Sequence, residues 1–394
     1  MKRKNLLIFI ICYVSYASIY LARLNLSISN PELISMGMLT ESQIGLLGGV
    51  FSVIFAVGRT VFGSLSDKKA PWIMISTGLF LTGVSNLLIG LLPVFVGMLV
   101  LWSLNAIAQS MLWSSMLCVM SSIYDPEKAK SKTALLVTSV ATGNIIVIPI
   151  TMLLLKFLPI QFIFVIPGAV SLVMALAAFL AVKDIPSSSA KIVKAHIPVK
   201  DLLKNKEFST QLIPAVLHGV LKDNIPMWMT LFFTMRYMEN IEDSLFFLLF
   251  IPVMGLAGRS AYPVLYRLCK NNEHKVSLFG FIVCFACCGT LCFEGLPKLA
   301  ATVCLGVSYA AISAINTSIL SIFPLRFIET GNTASISGIM DLMTYCGTGI
   351  SSFIFGIVIE NSGFTPMFAT WAVCSLLSIP VTVLLIKGRG VRVK

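Results

Sequence analysis

Residues 58–68 read GRTVFGSLSDK, and residues 258–267 read GRSAYPVLYR. Each segment closes a long apolar run, and the Gly-Arg pair recurs at an offset of 200 residues. A second pair of basic residues, Arg23 and Lys222, lies one apolar run earlier in each half, at an offset of 199. Because cations inside apolar runs are rare, their recurrence at nearly one offset predicts an internal duplication.

The composition is that of a chain lying mostly in lipid. Of its 394 residues, 57% are hydrophobic and only 12% are charged, and the mean hydropathy is +0.92. A soluble protein of this length needs a more highly charged surface. A membrane-spanning helix needs roughly 20 apolar residues. Twelve runs predict an all-α polytopic membrane protein with twelve transmembrane helices, at about 6–28, 43–65, 73–92, 94–122, 133–156, 159–182, 208–235, 244–268, 276–294, 299–323, 334–358 and 364–387.

The duplication divides these helices into two sets of six. A polar segment rich in lysine and serine, residues 183–207, separates the sixth run from the seventh. We predict an N-terminal six-helix bundle over 1–182, a cytoplasmic linker over 183–207 and a C-terminal six-helix bundle over 208–394. Two pseudo-symmetric bundles are the architecture of transporters that bind their solute near the bilayer midplane.

The net charge of +12 reflects membrane topology rather than nucleic-acid binding. In alternate loops, 22 Lys and Arg residues fall on one side and three, Lys156, Arg236 and Lys298, on the other. This asymmetry predicts that both termini lie in the cytoplasm, in a bacterial inner membrane. The lipid bilayer is therefore the expected partner, and no nucleic acid is expected.

The residue types argue against an enzyme, a metal site or a cofactor. No Ser-His-Asp, paired-carboxylate or phosphate-loop arrangement is visible, and the chain has three histidines. Four of its ten cysteines cluster in residues 284–292, without a histidine or carboxylate beside them. Cysteine is also a common small apolar residue in helix packing, which is the favoured interpretation.

Six ionisable residues lie inside the predicted helices, and they favour an anionic solute. They are Arg23, Arg59, Lys222, Asp223, Arg259 and Asp341, four cations against two anions. Such groups persist in hydrocarbon when they face a cavity or a partner.

Arg23 and Lys222 are the strongest ligand candidates because each lies in the first helix of its half. The alternative for Arg23 is a side chain that reaches the outer surface. For Lys222 it is a salt bridge with Asp223, although neighbours in a continuous helix point about 100° apart, which disfavours a direct pair.

Other candidates share helices with these cations. Tyr16, Tyr20 and Arg23 have the spacing of one helical face. Arg59 and Arg259 lie near the cytoplasmic ends of their helices, where substrate contact, gating and simple surface anchoring are all open.

Three further positions have two interpretations each. His218 lies one turn before Lys222 and is either a coupling residue or a buried core histidine. Asp341 is either a proton carrier or a helix–helix hydrogen-bonding group. Gln109 and Trp113 continue a stripe that begins at Asn105, and buried amides of this kind also join helices.

The loop after the second run resembles a motif of the major facilitator superfamily. Residues Gly63-Ser64-Leu65-Ser66-Asp67-Lys68-Lys69 are similar to the G-x-L-x-D-R/K pattern, although Ala70-Pro71-Trp72 replaces the usual Gly-Arg-Lys. The resemblance implies a major facilitator fold. We expect Asp67 to have a gating role, bracing the cytoplasmic side by pairing with a helix end or a cation.

Within that superfamily the chain resembles the organophosphate:phosphate antiporters. Residues Tyr20-Leu21-Ala22-Arg23-Leu24-Asn25, followed by Asn30-Pro31, are similar to the family's Y-L-x-R-x-N…P stretch, whose arginine binds phosphate. The resemblance implies substrate-binding roles at the matching positions, which are Tyr16, Tyr20, Arg23, Arg59, Gln109, Trp113, Lys222 and Trp228. Lys222 replaces the family's second arginine, Thr230 replaces a proline, and residues 141–144 contain no counterpart of a family histidine.

The expected function is transport of a small organic or phosphorylated anion by alternating access, in antiport with phosphate and as a monomer. The alternatives are proton symport through Asp223, Asp341 or His218, a drug exporter of the same fold, and a sensor that does not transport. A drug exporter needs an apolar, acidic cavity, whereas the candidate residues here are mainly cations.

Overall fold

The computed structural model describes residues 2–66, 69–92, 94–185, 203–238, 245–330 and 333–388. Regular structure within these ranges is helical throughout. The chain divides into two compact units, the first formed by Met1–Lys191 with Phe233–Leu245 and the second by Ile192–Phe232 with Phe246–Lys394. The domain boundaries expected from the sequence stay a prediction.

The first unit is built mainly from nine helices of its described part. They are α1 (Lys2–Ser18), α2 (Leu21–Ile28), α3 (Asn30–Ser35), α4 (Glu41–Ser66), α5 (Pro71–Leu91), α6 (Phe95–Ser110), α7 (Leu112–Ile123), α8 (Pro126–Phe157) and α9 (Phe162–Val182).

The second unit contains most of the remaining helices. They are α10 (Lys206–Lys222), α11 (Asn224–Tyr237), α12 (Leu245–Leu268), α13 (Glu273–Leu291), α14 (Lys298–Thr317), α15 (Thr333–Ser362) and α16 (Thr365–Gly388). A π-helical turn (Ser318–Ile322) and a 3₁₀ segment (Phe323–Thr330) follow α14.

The lengths and apolar character of these helices fit a membrane protein. Within the described ranges, eleven helical segments are long and apolar enough to cross a bilayer. The seventh run predicted from the sequence, 208–235, is divided at Asp223 into α10, with 17 residues, and α11, with 14. The prediction of an all-helical polytopic membrane protein is confirmed.

Each unit has a close contact between two of its helices at the glycine of the duplicated Gly-Arg pair. A Cβ atom added at Gly58 would lie 2.2 Å from Ser110 Oγ, which joins α4 to α6. A Cβ atom added at Gly258 would lie 2.1 Å from the carbonyl oxygen of Ala310, which joins α12 to α14. Both residues of the contact are thus displaced by 200 positions, as the duplicated Gly-Arg pair predicts. Small residues at such contacts let membrane helices approach closely.

Candidate functional site

The first membrane span is broken just before Arg23. Helix α1 ends at Ser18 and α2 begins at Leu21, with two turn residues between them. Arg23 lies in the first turn of α2 and is partly buried. The break places a charged side chain at a point where the regular backbone of the span is interrupted.

Two stacked phenylalanine rings of α4 hold the Arg23 guanidinium. Its Cζ atom lies 4.9 Å from the centre of the Phe51 ring and 4.7 Å from that of Phe55. The two ring centres are 5.8 Å apart. Arg59, one turn further along α4, places its Cζ atom 5.8 Å from the Phe55 ring. The structure therefore brings the two candidate cations of this unit, Arg23 and Arg59, to one aromatic ring.

The candidate aromatic residues of the first unit also lie together. Tyr16 and Tyr20 have ring centres 6.2 Å apart, and Trp113 of α7 lies 5.0 Å from Tyr16. Gly143 of α8 makes room for this group, since a Cβ atom there would lie 2.7 Å from both Tyr20 Cδ2 and the Ala17 carbonyl oxygen. This close approach lies within residues 141–144, the segment that contains no counterpart of the histidine of the organophosphate:phosphate antiporters.

Gln109 is buried and connects to the backbone beside Arg23. Its Nε2 atom donates to Asn105 Oδ1 at 3.0 Å, and Asn105 Nδ2 donates to the carbonyl oxygen of Ala22 at 2.9 Å. The stripe of amides therefore joins α6 to α2. Gln109 and Asn105 therefore join helices, and the backbone that they hold is at Ala22, the residue before the candidate ligand Arg23.

The second unit has a matching break beside Lys222, which is the last residue of α10. Lys222 Nζ lies 3.7 Å from Asp223 Oδ2 and 4.2 Å from the centre of the Tyr345 ring on α15. The expectation that disfavoured a direct pair between these sequence neighbours is wrong. It assumed a continuous helix, whereas α10 ends before Asp223. The two side chains are 16% and 30% exposed, so the pair is largely shielded from solvent.

His218 lies fully buried one turn before Lys222. Its Nε2 atom is 3.3 Å from the carbonyl oxygen of Ile312, so Nε2 carries the proton and donates. Its Nδ1 atom is buried and has no hydrogen-bond partner among the described residues. Next to it, Gly219 lets α10 touch α15, because an added Cβ atom would lie 1.9 Å from the Thr344 carbonyl oxygen.

Trp228 is fully buried, and its indole N–H is already engaged. Nε1 donates to Asn224 Oδ1 at 3.3 Å. Asn224 also accepts a hydrogen bond from Ser352 Oγ at 2.8 Å and donates to Ser351 Oγ at 2.8 Å. Asn224 was missed as a candidate. The signal was present, since Lys222-Asp223-Asn224 repeats the cation-x-asparagine pattern of Arg23-Leu24-Asn25.

The other coupling and gating candidates are dispersed. Asp341 is partly buried on α15, one helical turn before Tyr345. Arg259 is partly buried on α12, beside the glycine contact at Gly258. Asp67 lies outside the described residues, and its role stays a prediction.

Known proteins similar to this chain are membrane transporters and a membrane sensor. A segment of 107 residues, 27% of this chain, is 36% identical to the membrane sensor protein UhpC of Salmonella typhimurium and covers 24% of it. A segment of 192 residues, 48% of this chain, is 25% identical to the glycerol-3-phosphate transporter of Bacillus subtilis and covers 43% of it. The matched segments thus span less than half of either relative. They confirm the resemblance to the organophosphate:phosphate antiporter group.

The fold itself is shared over nearly the whole chain. The nucleoside transporter NupG superposes with a TM-score of 0.78 at 14% sequence identity, covering 98% of this chain and 99% of that one. The predicted fold is therefore confirmed. Residues 12–340 match the Major Facilitator Superfamily, and the chain belongs to that superfamily.

Proposed function

We propose that this chain is a secondary active transporter of a small phosphorylated or other organic anion, with Arg23 and Lys222 as its anion-binding cations. The observation that carries the proposal is a partly buried cation beside a helix break in the first span of each unit. Burying an ionised group in a membrane protein is expensive, and such groups mark solute pathways by default. The partial match to the glycerol-3-phosphate transporter supports a phosphorylated solute.

The surroundings of Arg23 suit the binding of an oxyanion. A guanidinium stacked on an aromatic ring uses its face, while its N–H donors point outward in its plane. Those coplanar donors match two oxygens of a phosphate or carboxylate. The cation–π contacts with Phe51 and Phe55 are compatible with hydrogen bonds from the Arg23 N–H groups to an oxyanion.

The surroundings of Lys222 suit a weaker or conditional contact. Its ammonium is a point charge that is shared with Asp223. An incoming anion competes with that carboxylate, so part of the attraction is cancelled. The Tyr345 ring stabilises the ammonium in either state.

Flux through purified full-length protein in liposomes tests the proposal. Vesicles loaded with inorganic phosphate should take up labelled phosphate by exchange without a proton gradient, and Arg23→Ala should abolish the uptake. Arg267→Ala, which removes an exposed charge from the end of α12, is the matched control and should retain it. Uptake that requires a proton gradient would instead support symport through Asp223, Asp341 or His218. Transport of lipophilic cations in place of anions would refute the proposal.

A sensor is the second candidate, because the 36% identical segment belongs to a membrane sensor protein. A sensor of this fold binds its solute without moving it. Saturable phosphate binding with no flux in the same preparation would therefore select the sensor. Binding together with exchange would exclude it.

A further inference from the structure

Four buried side-chain amides form one hydrogen-bonded group at α2, in which Asn86 and Asn105 donate to the α2 backbone and Gln109 donates to Asn105. They are Asn25, Asn86, Asn105 and Gln109, here called the amide cluster. We propose that this cluster positions Arg23, so that Asn86 and Asn105 are positioning residues for anion binding. The inference rests on the proposed role of Arg23 as an anion ligand.

The direction of α2 depends on its tertiary contacts because the span has an irregular turn just before it. The helix has eight residues, and the chain turns at Ile19 and Tyr20 just before it. Irregular turns inside a helix change its direction, and packing against neighbouring elements fixes the new direction. The direction of the Arg23 side chain therefore depends on what holds α2.

The strongest support is at the peptide group directly before Arg23. The carbonyl oxygen of Ala22, in the same peptide plane as the Arg23 nitrogen, accepts from Asn105 Nδ2 at 2.9 Å and from Asn86 Nδ2 at 3.3 Å. The donors come from two different helices, α6 and α5. Two donors on one carbonyl restrict both the position and the tilt of that peptide.

A second attachment follows three residues later on the same helical face. Asn25 Nδ2 donates to Asn86 Oδ1 at 3.2 Å and to the Ile163 carbonyl oxygen of α9 at 3.0 Å. Asn86 therefore contacts both ends of one helical turn. Arg23 is about 200° around the helix from Asn25. When the face of α2 that carries Asn25 is fixed, the Arg23 guanidinium points to the other side of the helix, where it contacts Phe51 and Phe55.

Burial separates this role from direct solute contact. Asn25, Asn86 and Asn105 are 0% exposed, and Gln109 is 1% exposed. A solute that reaches the partly buried Arg23 does not reach these amides. They act on the anion only through the backbone of α2.

The second unit repeats the arrangement with different partners. Asn224, two residues after Lys222, is fully buried and bonds to Ser351 and Ser352 of α15. A buried asparagine two residues after the cation thus anchors the broken span in each unit. The recurrence is what a positioning role predicts, since both cations need a fixed backbone.

The test compares the affinity of the purified full-length protein for inorganic phosphate in four variants. Asn105→Leu and Asn86→Leu each remove hydrogen bonds that hold the backbone beside Arg23, and each should raise the phosphate Kd about tenfold. Thr82→Val is the matched control. It changes a buried residue one turn from Asn86, with no side-chain bond to α2, and should leave the Kd unchanged. If Asn105→Leu does not fold, Asn105→Asp takes its place, and it should also raise the phosphate Kd.

The Arg23→Lys background separates positioning from general packing. A lysine is a point charge that needs less orientation, so Asn105→Leu should weaken phosphate binding much less there than in the wild type. Equal weakening in both backgrounds, or no weakening by either asparagine variant while Arg23→Ala strongly weakens binding, would overturn the inference alone. If Arg23→Ala leaves the phosphate Kd unchanged, the proposed function fails, and the positioning role fails with it.

Discussion

The regions around Arg23 and Lys222 have the same local design but different chemistry. In both, the first span of the unit is interrupted, a cation lies beside the interruption, and a buried asparagine follows two residues later. Arg23 is held by two phenylalanine rings, whereas Lys222 contacts the carboxylate of Asp223 and the ring of Tyr345. The duplicated backbone has thus been retained while the electrostatics diverged. Because their surroundings differ, the two cations should contribute unequally to anion binding.

The largest expected effect is at Arg23. Arg23→Ala should raise the Kd for inorganic phosphate roughly 50-fold, the range for hydrogen bonds to charged groups. Arg23→Lys keeps the charge and loses the paired donors, so about tenfold is expected. Ligand-induced thermal stabilisation of the purified protein measures both. Lys156→Ala, an exposed cation of the same unit, is the control. A larger loss of phosphate affinity in Lys156→Ala than in Arg23→Ala would contradict the assignment of Arg23 as the main anion ligand.

The next effect is at Lys222, and it includes the carboxylate left behind. Lys222→Ala should raise the phosphate Kd about tenfold, because Asp223 then repels the anion as well. Lys222→Ala combined with Asp223→Asn should recover part of that loss. The same binding assay measures both proteins. No recovery in the double variant would show that Asp223 does not face the bound anion.

A smaller effect compares the two glycine contacts. Gly258→Ala should lower the free energy of unfolding by about 1 kcal/mol more than Gly58→Ala. The added methyl meets the backbone carbonyl of Ala310 in one case, and in the other the side chain of Ser110, which can rotate away. Thermal unfolding in detergent measures this. Gly289→Ala, with open space around the added atom, should be nearly neutral. Equal losses at Gly58 and Gly258 would contradict the structural distinction.

The smallest effect is a gain in affinity. Asp223→Asn removes the carboxylate that competes with the anion for Lys222, and it should tighten phosphate binding about threefold, in line with a partly exposed ion pair. Titration calorimetry at low and high salt measures it, and added salt should shrink the gain. Weaker binding in Asp223→Asn would mean that Asp223 serves the site in another way, for example as a proton carrier.

Most of the fold was predictable from the sequence, because apolar run length directly reports whether a helix can cross a bilayer. The breaks in the first and seventh spans were not. Ile19 and Leu21 are as apolar as the rest of their run, so hydropathy does not register the turn at Tyr20. The division at Asp223 was likewise hidden within a run long enough to read as one helix.

The candidate site was predictable for the cations and less so for their supports. Arg23 and Lys222 stand out because charge is rare in apolar runs. The contact of Arg23 with Phe51 and Phe55 depends on tertiary structure. Phenylalanine is common in any membrane helix, so its presence in the sequence does not indicate this contact. Asn224 was visible in principle through the repeated cation-x-asparagine spacing. The buried position of Trp228 and its bond to Asn224 required the structure.

The most direct test of the account is the thermal stabilisation of purified full-length protein by inorganic phosphate and by sugar phosphates. We expect a ligand-dependent rise in Tm in the wild type and in Arg267→Ala, a strongly reduced rise in Arg23→Ala and a less strongly reduced rise in Lys222→Ala. Stabilisation that persists at wild-type strength in both Arg23→Ala and Lys222→Ala would contradict the assignment of these cations to the anion site.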